Sequence, residues 1–223
     1  MHLGAGGAHV LLDLGATSLT AMRQQGVDPN SVDAIVLTHL DGDHFGGLPF
    51  FVLDAQFRRG TKPLLVVGPP GVRERTTQAM EVFFPGSSET VRKFELRFVE
   101  LPARTPTTVL EGVVVTGYEV PHPSGAPAYA LRLEVGGKVV AYSGDGEWSE
   151  ALVEAARGAD LFIVEAYSFD RPIKYHLSYA TLRRHRVRLD CRRLILVHPG
   201  PDVLERLDEV EEEMAYDELV LEL

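Results

Sequence analysis

The chain has 223 residues, 45% of them hydrophobic, and a formal net charge of −10. This length suits one domain, or at most two, with a sizeable buried core. The acidic balance argues against a large nucleic-acid surface, so we expect a small-molecule partner rather than nucleic acid. A local basic patch over an anionic substrate is compatible with that balance.

Cysteine usage and hydropathy bear on where the protein works. Cys191 is the only cysteine, so no internal disulfide can form. No apolar run approaches the ~18 residues that a membrane span needs. The N-terminus shows no basic segment followed by an apolar one, as a signal peptide would. We therefore expect a cytoplasmic protein without membrane association.

Apolar runs bounded by turn signals predict strands along most of the chain. The pair Gly136-Gly137 joins two of these runs and predicts a tight hairpin, because both glycines accept positive φ. The predicted strands are Val10–Leu14, Ala34–Thr38, Leu64–Gly68, Glu95–Glu100, Val113–Val120, Ala128–Val135, Lys138–Ser143, Leu161–Glu165, Arg193–His198 and Leu219–Leu223.

Helical segments alternate with the strands in the first and last parts of the chain, and the middle reads as a meander. Ser178 suits a helix N-cap, and the acidic run from Glu205 to Glu213 suits a solvated helix face. The predicted helices are Ser18–Gln25, Pro70–Phe83, Trp148–Arg157, Ser178–Arg188 and Val203–Glu213. This order predicts an α/β fold with mixed sheets, in a single domain over residues 1–223.

Little sequence precedes the strand that begins at Val10. We therefore expect either that this strand starts the chain at a sheet edge or that an upstream strand is missing. An exposed edge could pair with another chain, so a homodimer is compatible with this sequence.

The densest group of ligand-type residues follows the buried run Ala34–Leu37 and comprises His39, Asp41, Asp43 and His44. It lies at the carboxyl end of a strand, where α/β sheets place their sites. Asp41-Gly42 is a turn signal, so the chain can curl and bring the four side chains together. Imidazoles with carboxylates suit Zn²⁺, Fe or Mn²⁺. The alternative is a turn with N-capping aspartates and surface histidines.

Three further candidates follow later strands. His122 stands in Val-Pro-His-Pro, Asp145 in Ser-Gly-Asp-Gly and His198 in Val-His-Pro-Gly. Each alone is a weak signal, because a polar residue after a strand is more often part of a turn. Together, each beside Gly or Pro at a strand end, they favour a metal site.

The run His39-Leu40-Asp41-Gly42-Asp43-His44, followed by His122, Asp145 and His198, resembles the metallo-β-lactamase superfamily. The resemblance extends from about residue 10 to the C-terminus. The strand ending in Glu165-Ala166 and the helix entry His176-Leu177-Ser178 resemble the branch that contains tRNase Z and related phosphodiesterases. It implies an αββα sandwich of two mixed β-sheets flanked by helices, which lacks the usual first strand if the chain is short at its N-terminus.

The resemblance also implies a dinuclear centre with two divalent ions, Zn²⁺ first and Mn²⁺ or Fe as alternatives. His39, Asp41 and His122 would hold the first ion, Asp43, His44 and His198 the second, and Asp145 would bridge them. Hydroxide held by the ions would attack a phosphodiester.

Asp41 departs from the family pattern, which has His there. Two divalent ions carry +4 and three aspartates −3, so a bridging hydroxide brings the centre to zero, whereas His would leave +1. We expect the first site to favour harder metals, or to bind metal more weakly, than an all-imidazole site would.

Proton transfer is assigned through the same resemblance. His176 is the candidate general acid for the leaving group, Glu165 the group that sets its tautomer, and Asp43 the group that orients the nucleophile. Arg171 and Lys174 precede His176 and could meet an anionic substrate.

Two alternatives stay open. The same site could hydrolyse a lactone, thioester or β-lactam, because fold does not set function. The chain could also be a non-catalytic metal-binding protein whose site has decayed, with Asp41 as the first sign.

Overall fold

The computed structural model describes residues 1–223, and the chain forms two compact units. The first comprises Met1–Pro102, Val109–Glu111 and Ser124–Ala126, and the second comprises Ala103–Thr108, Gly112–Pro123 and Pro127–Leu223. The two sheets of the chain are both mixed and both flanked by helices, as the sequence predicts. No helix is both long enough and apolar enough to span a bilayer.

The first unit contains a five-stranded sheet in the order β1-β2-β3-β4-β5. The first two strands pair antiparallel and the others parallel. Its core is aliphatic and aromatic, with Leu37, Leu48 and Phe51 almost fully buried. The elements are β1 (His2–Ala5), β2 (Ala8–Leu12), α1 (Ser18–Gln24), β3 (Ala34–Val36), α2 (Gly42–Phe45), α3 (Leu48–Arg58), β4 (Leu64–Gly68), α4 (Val72–Phe83) and β5 (Leu96–Glu100).

The seven-stranded sheet has the order β12-β11-β10-β9-β8-β7-β6. The strands from β7 to β9 form an antiparallel meander, and those from β9 to β12 run parallel. The elements are β6 (Thr107–Leu110), β7 (Val113–Val120), β8 (Ala128–Val135), β9 (Lys138–Tyr142), α5 (Glu150–Ala156), β10 (Ala159–Glu165), α6 (Tyr179–His185), β11 (Cys191–Val197), α7 (Pro201–Leu204) and β12 (Glu213–Met214).

Two tight hairpins depend on glycine pairs. Gly136 and Gly137 have φ of 59° and 75° and pair Val135 with Lys138, which confirms the predicted turn. Gly6 and Gly7 have φ of 58° and 85° and join β1 to β2. The expectation that no strand precedes Val10 was therefore wrong, because the glycine pair lets even this short segment fold back.

The C-terminal prediction was wrong in two places. The expected helix Val203–Glu213 is replaced by α7, a 3₁₀ turn at Leu207–Glu209 and β12. β12 pairs with Ile195 and Leu196, and sheet pairing there outweighs the helix propensity of the acidic run. The expected strand Leu219–Leu223 is absent, since these residues have no regular secondary structure.

Helix α3 was missed by the sequence prediction. Pro49 and the neighbouring phenylalanines concealed it, although proline is well tolerated in a first helical turn. Its buried positions Leu48, Phe51, Val52 and Ala55 follow the i, i+3, i+4, i+7 spacing of an amphipathic helix. That spacing could have predicted it.

Candidate metal centre

The ligand-rich turn of the first unit curls directly after β3. Gly42 starts α2, and Asp41 is the N-cap residue in extended conformation but makes no side-chain capping bond. His39 and His44 are both buried. The alternative of capping aspartates and surface histidines is therefore wrong. The chain turns at Asp41-Gly42, as the sequence predicts, and this turn carries all four side chains.

Each histidine of this turn faces a carboxylate. Nε2 of His39 is 3.8 Å from Oδ2 of Asp41, and Nε2 of His44 is 3.7 Å from Oδ2 of Asp43. The two imidazole centroids are 4.1 Å apart. These N–O distances are too long for a hydrogen bond. They suit a nitrogen and an oxygen that bind the same ion, each at about 2.0–2.2 Å.

Asp13 supports this turn from the end of β2, and the sequence prediction missed it. Its carboxylate accepts hydrogen bonds from Nδ1 of His44 at 2.7 Å and from the main-chain N–H of Thr38 at 2.8 Å. It is buried and has a positive φ of 56°, a conformation that aspartate tolerates better than most residues. The available signal was an acidic residue within the apolar run Leu-Asp-Leu-Gly, at the end of the predicted strand Val10–Leu14.

Thr38 extends the support to the other histidine. Its hydroxyl donates to Asp13 at 2.9 Å and lies 2.9 Å from Nδ1 of His39. With its proton directed at the carboxylate, the hydroxyl accepts from the Nδ1–H of His39. Both imidazoles are thereby held in the tautomer whose Nε2 carries the lone pair, which is how outer groups orient metal-binding histidines.

Two glycines let the β2 end pack against the turn. A Cβ on Gly47 would lie 2.2 Å from the carbonyl oxygen of Gly15, and a Cβ on Gly15 would lie 2.3 Å from that of Asp43. The main-chain N–H of Gly47 also donates to Leu14 at 2.8 Å. The backbone at Gly47 therefore lies close to the backbone of Leu14 and Gly15.

The second unit gathers two carboxylates and two imidazoles at its strand ends. Asp145, Glu165, His176 and His198 place their ligand-type atoms within 4.8 Å of one another. Nδ1 of His198 lies 2.9 Å from Oδ1 of Asp145, and Nδ1 of His176 lies 2.5 Å from Oε1 of Glu165. The predicted contact between Glu165 and His176 is thus present.

Glu165 is the most enclosed member of this cluster. It is 1% exposed, and its second oxygen accepts from the main-chain N–H groups of Gly146 and Leu177, both at 3.1 Å. Burial raises the pKa of Glu165, and the hydrogen bond from His176 works in the opposite direction. The side chain is thus fixed on all sides and presents one oxygen to His176.

His122 is oriented by a main-chain carbonyl rather than a carboxylate. Its Nδ1 lies 3.0 Å from the carbonyl oxygen of Tyr175, the residue before His176. The Nδ1–H therefore donates to that carbonyl, which leaves Nε2 as the basic nitrogen. The sequence held no signal for this contact, since the two residues are far apart along the chain.

Tyr167 packs against the second unit's histidines and was also missed. Its ring stacks on His176 with a centroid distance of 4.3 Å and meets His198 edge-on at 5.4 Å. Its main chain accepts from Gly200 and donates to Leu177. The ring restricts both imidazoles, and only its position two residues after Glu165 hinted at this.

The donors present in each unit fit divalent metal ions. Imidazole nitrogens and carboxylate oxygens form the ligand set of Zn²⁺, Mn²⁺ and Fe sites. In both units, Nδ1 atoms of predicted ligand histidines meet oxygen acceptors that are not themselves predicted ligands. Such contacts orient the ring of a metal-binding histidine and make its other nitrogen more basic.

Residues 10–199 match the family model described as a beta-lactamase superfamily domain. A ribonuclease Z of Lachnoclostridium phytofermentans is 31% identical over 134 residues, which is 60% of this chain and 42% of that protein. The uncharacterized protein ML1173 of Mycobacterium leprae is 31% identical over 86% of this chain and 67% of its own length. The chain thus spans between two fifths and two thirds of these relatives.

Solved structures share the fold. Human tRNase Z, short form, superposes with a TM-score of 0.79 at 22% identity, over 99% of this chain and 90% of that one. A diphosphatase from the PhnP family gives 0.74 at 21% identity, over 100% and 83%. These likenesses confirm the predicted metallo-β-lactamase fold.

Proposed function

The chain belongs to the beta-lactamase superfamily, and on that premise we propose that it is a metal-dependent hydrolase of phosphodiesters. Relatives named ribonuclease Z and the fold shared with a PhnP-family diphosphatase support phosphorus rather than carbonyl substrates.

One observation carries the metal assignment. Protein acceptors engage Nδ1 of His39, His44 and His122, so the same nitrogen, Nε2, is presented by all three. Surface histidines would have no reason to share one tautomer. Shared orientation by outer hydrogen bonds is the usual arrangement around a bound metal.

We propose the ligand set that the resemblance implies. His39, Asp41 and His122 would hold the first ion, Asp43, His44 and His198 would hold the second, and Asp145 would be shared by both. The pairing of His39 with Asp41 and of His44 with Asp43 supports this division. Two such ions would lower the pKa of water and stabilise charge on phosphorus oxygens.

The protein's own groups then handle the protons. The Nδ1–H of His176 donates to Glu165, which leaves Nε2 of His176 to carry the proton for the leaving group. The Asp43 side chain is 66% exposed and can accept a hydrogen bond from the attacking water.

The substrate class is the open choice within this function. The acidic composition and the lack of a long basic arm in residues 49–110 favour a small phosphodiester. The relatives named ribonuclease Z argue the other way, so the expectation that nucleic acid is not a partner has no support from them. RNA is therefore the second candidate substrate.

The test combines metal counting with a substrate panel. Elemental analysis of chelator-free protein should find close to two Zn, Mn or Fe per chain. The metal-loaded protein should cleave bis(p-nitrophenyl) phosphate or a tRNA precursor but neither a lactone nor nitrocefin. Cleavage of the carbonyl substrates alone would instead assign the alternative hydrolase chemistry.

No metal uptake on addition of Zn²⁺ or Mn²⁺ would contradict the metal centre itself. Two bound metals without turnover of any substrate would favour the non-catalytic metal-binding protein.

A further inference from the structure

Tyr175 holds an unfavourable backbone conformation beside two proposed functional histidines. Its φ is 71°, in the left-handed region that a bulky side chain rarely adopts. Its carbonyl oxygen orients His122, and His176 is the next residue in the chain. A strained residue persists only where its surroundings impose the conformation, so something must hold Tyr175 in place.

Glu147 supplies one such constraint. Its Oε1 accepts the main-chain N–H of Tyr175 at 2.8 Å. Its own main-chain N–H donates to the carbonyl oxygen of Pro121 at 3.2 Å, one residue before His122. With the bond from His122 to Tyr175, these contacts close a ring of hydrogen bonds through Pro121, His122, Tyr175 and Glu147.

Gly146, the residue before Glu147, is linked to His176 through Glu165. The main-chain N–H of Gly146 donates to Glu165 at 3.1 Å, and Glu165 receives the Nδ1–H of His176. A Cβ on Gly146 would lie 2.9 Å from Val120, so this segment has little freedom to move. Residues 146 and 147 therefore support both histidines from one short stretch.

We propose that Glu147 is a positioning residue for His122 and His176 and acts on both through the main chain of Tyr175. The inference rests on the proposed function only where it treats His122 as a metal ligand and His176 as a proton donor. Neither the family motifs nor the spacing of ligand residues marks Glu147.

The proposal predicts different results for two substitutions. Glu147→Gln keeps an oxygen that can accept from Tyr175, whereas Glu147→Ala removes the acceptor and lets residue 175 relax to negative φ. Glu150→Ala is the matched control, because Glu150 lies three residues on and pairs with exposed Arg188.

Imidazole ¹H–¹⁵N spectra of metal-free protein measure the positioning directly. We expect His122 to be a fixed Nδ1–H tautomer in wild type, Glu147→Gln and Glu150→Ala, and to average between tautomers in Glu147→Ala. An unchanged tautomer in Glu147→Ala, with native circular dichroism, would overturn the proposal.

Co²⁺ titration followed by d–d absorption measures the consequence. Glu147→Ala should weaken one of two sites about 10–100-fold, the usual effect of removing an outer support, and Glu147→Gln should stay within about threefold. Glutamine as damaging as alanine would overturn the hydrogen-bond explanation. A wild type with a fixed tautomer and no Co²⁺ binding would instead contradict the proposed function.

A double-mutant cycle tests the role of backbone strain. Glycine adopts a φ of 71° without strain, so Glu147→Ala should weaken Co²⁺ binding less in a Tyr175→Gly background than in wild type. Equal, additive losses would show that Glu147 does not act through Tyr175.

Discussion

At the scale of single residues, the tautomer of three histidines is set by the hydrogen-bond acceptor that lies next to Nδ1. His44 meets a carboxylate, His39 a hydroxyl and His122 a main-chain carbonyl. All three partners accept a hydrogen bond and so select the same tautomer. The sequence motif identifies these residues as histidines, but the groups around each imidazole decide which of its nitrogens can bind a metal.

Asp13 provides the first test at this scale. Asp13→Asn keeps the size and tolerates the positive φ, but its amide nitrogen cannot accept from Thr38 or His44. We expect Zn²⁺ affinity to fall about 10–100-fold, measured by competition with a chromophoric chelator. Asp28→Asn, which still caps the 3₁₀ turn at Pro29–Ser31, should bind like wild type; equal affinity in both variants would contradict the role of Asp13.

Asp41 provides a test of metal preference. Its carboxylate adds negative charge and a hard oxygen beside His39, so replacement by histidine should shift the first site towards Zn²⁺ and away from Mn²⁺. Isothermal titration of Asp41→His with each metal measures the shift. Zn²⁺ affinity identical in the two proteins would show that Asp41 does not tune the site.

His176 provides a test of proton transfer. His176→Ala should lower kcat about 10²–10⁴-fold on a phosphodiester with a poor leaving group. The loss should be small with p-nitrophenolate, which leaves without a proton. His185→Ala is the control, because His185 stacks on Trp148 instead. An unchanged kcat on the poor leaving group would remove His176 from the mechanism.

At the scale of elements, the turn from β3 to α3 depends on a close contact that a side chain would block. A Cβ on Gly47 would lie 2.2 Å from Gly15, whereas nothing lies within 4 Å of one on Gly42. We expect Gly47→Ala to lower the free energy of unfolding by about 1–3 kcal/mol, measured in urea.

Gly42→Ala is the matched control within the same turn. It should leave the free energy of unfolding within about 0.5 kcal/mol of wild type. A Gly47→Ala protein as stable as this control would mean that β2 does not need to approach the turn so closely.

The C-terminal segment shows how pairing overrides a local pattern. Glu211 and Glu212 pair with Arg183 of α6, and Glu213 takes two hydrogen bonds from Arg193 of β11. The acidic run is therefore matched to arginines on two other elements. As a helix it would present these charges to solvent, and β11 would lack its outer strand.

At the scale of the whole molecule, the chain passes repeatedly between the two compact units. Val109–Glu111 and Ser124–Ala126 belong to the first unit although their flanking residues belong to the second. Neither unit can therefore be excised at a single linker. We expect one calorimetric unfolding transition with equal calorimetric and van't Hoff enthalpies. Two separate peaks would contradict the prediction of a single domain.

The sequence by itself determined much of the fold and the candidate ligand residues, since strand patterns and the His39–His44 run depend on neighbours along the chain. It also predicted the partnership of Glu165 with His176, because family motifs mark both positions. These features depend on neighbouring residues or on motifs in a fixed order along the chain, so they can be recognised in the sequence.

Only the tertiary structure decided which groups orient the candidate ligand histidines. Asp13 and the main chain of Tyr175 reach their histidines across the fold, and Glu147 reaches Tyr175 in the same way. Such hydrogen bonds join residues distant in sequence and leave no periodic pattern. The motif therefore names the candidate ligand side chains, and the packing of the chain selects the nitrogen that each of these histidines presents.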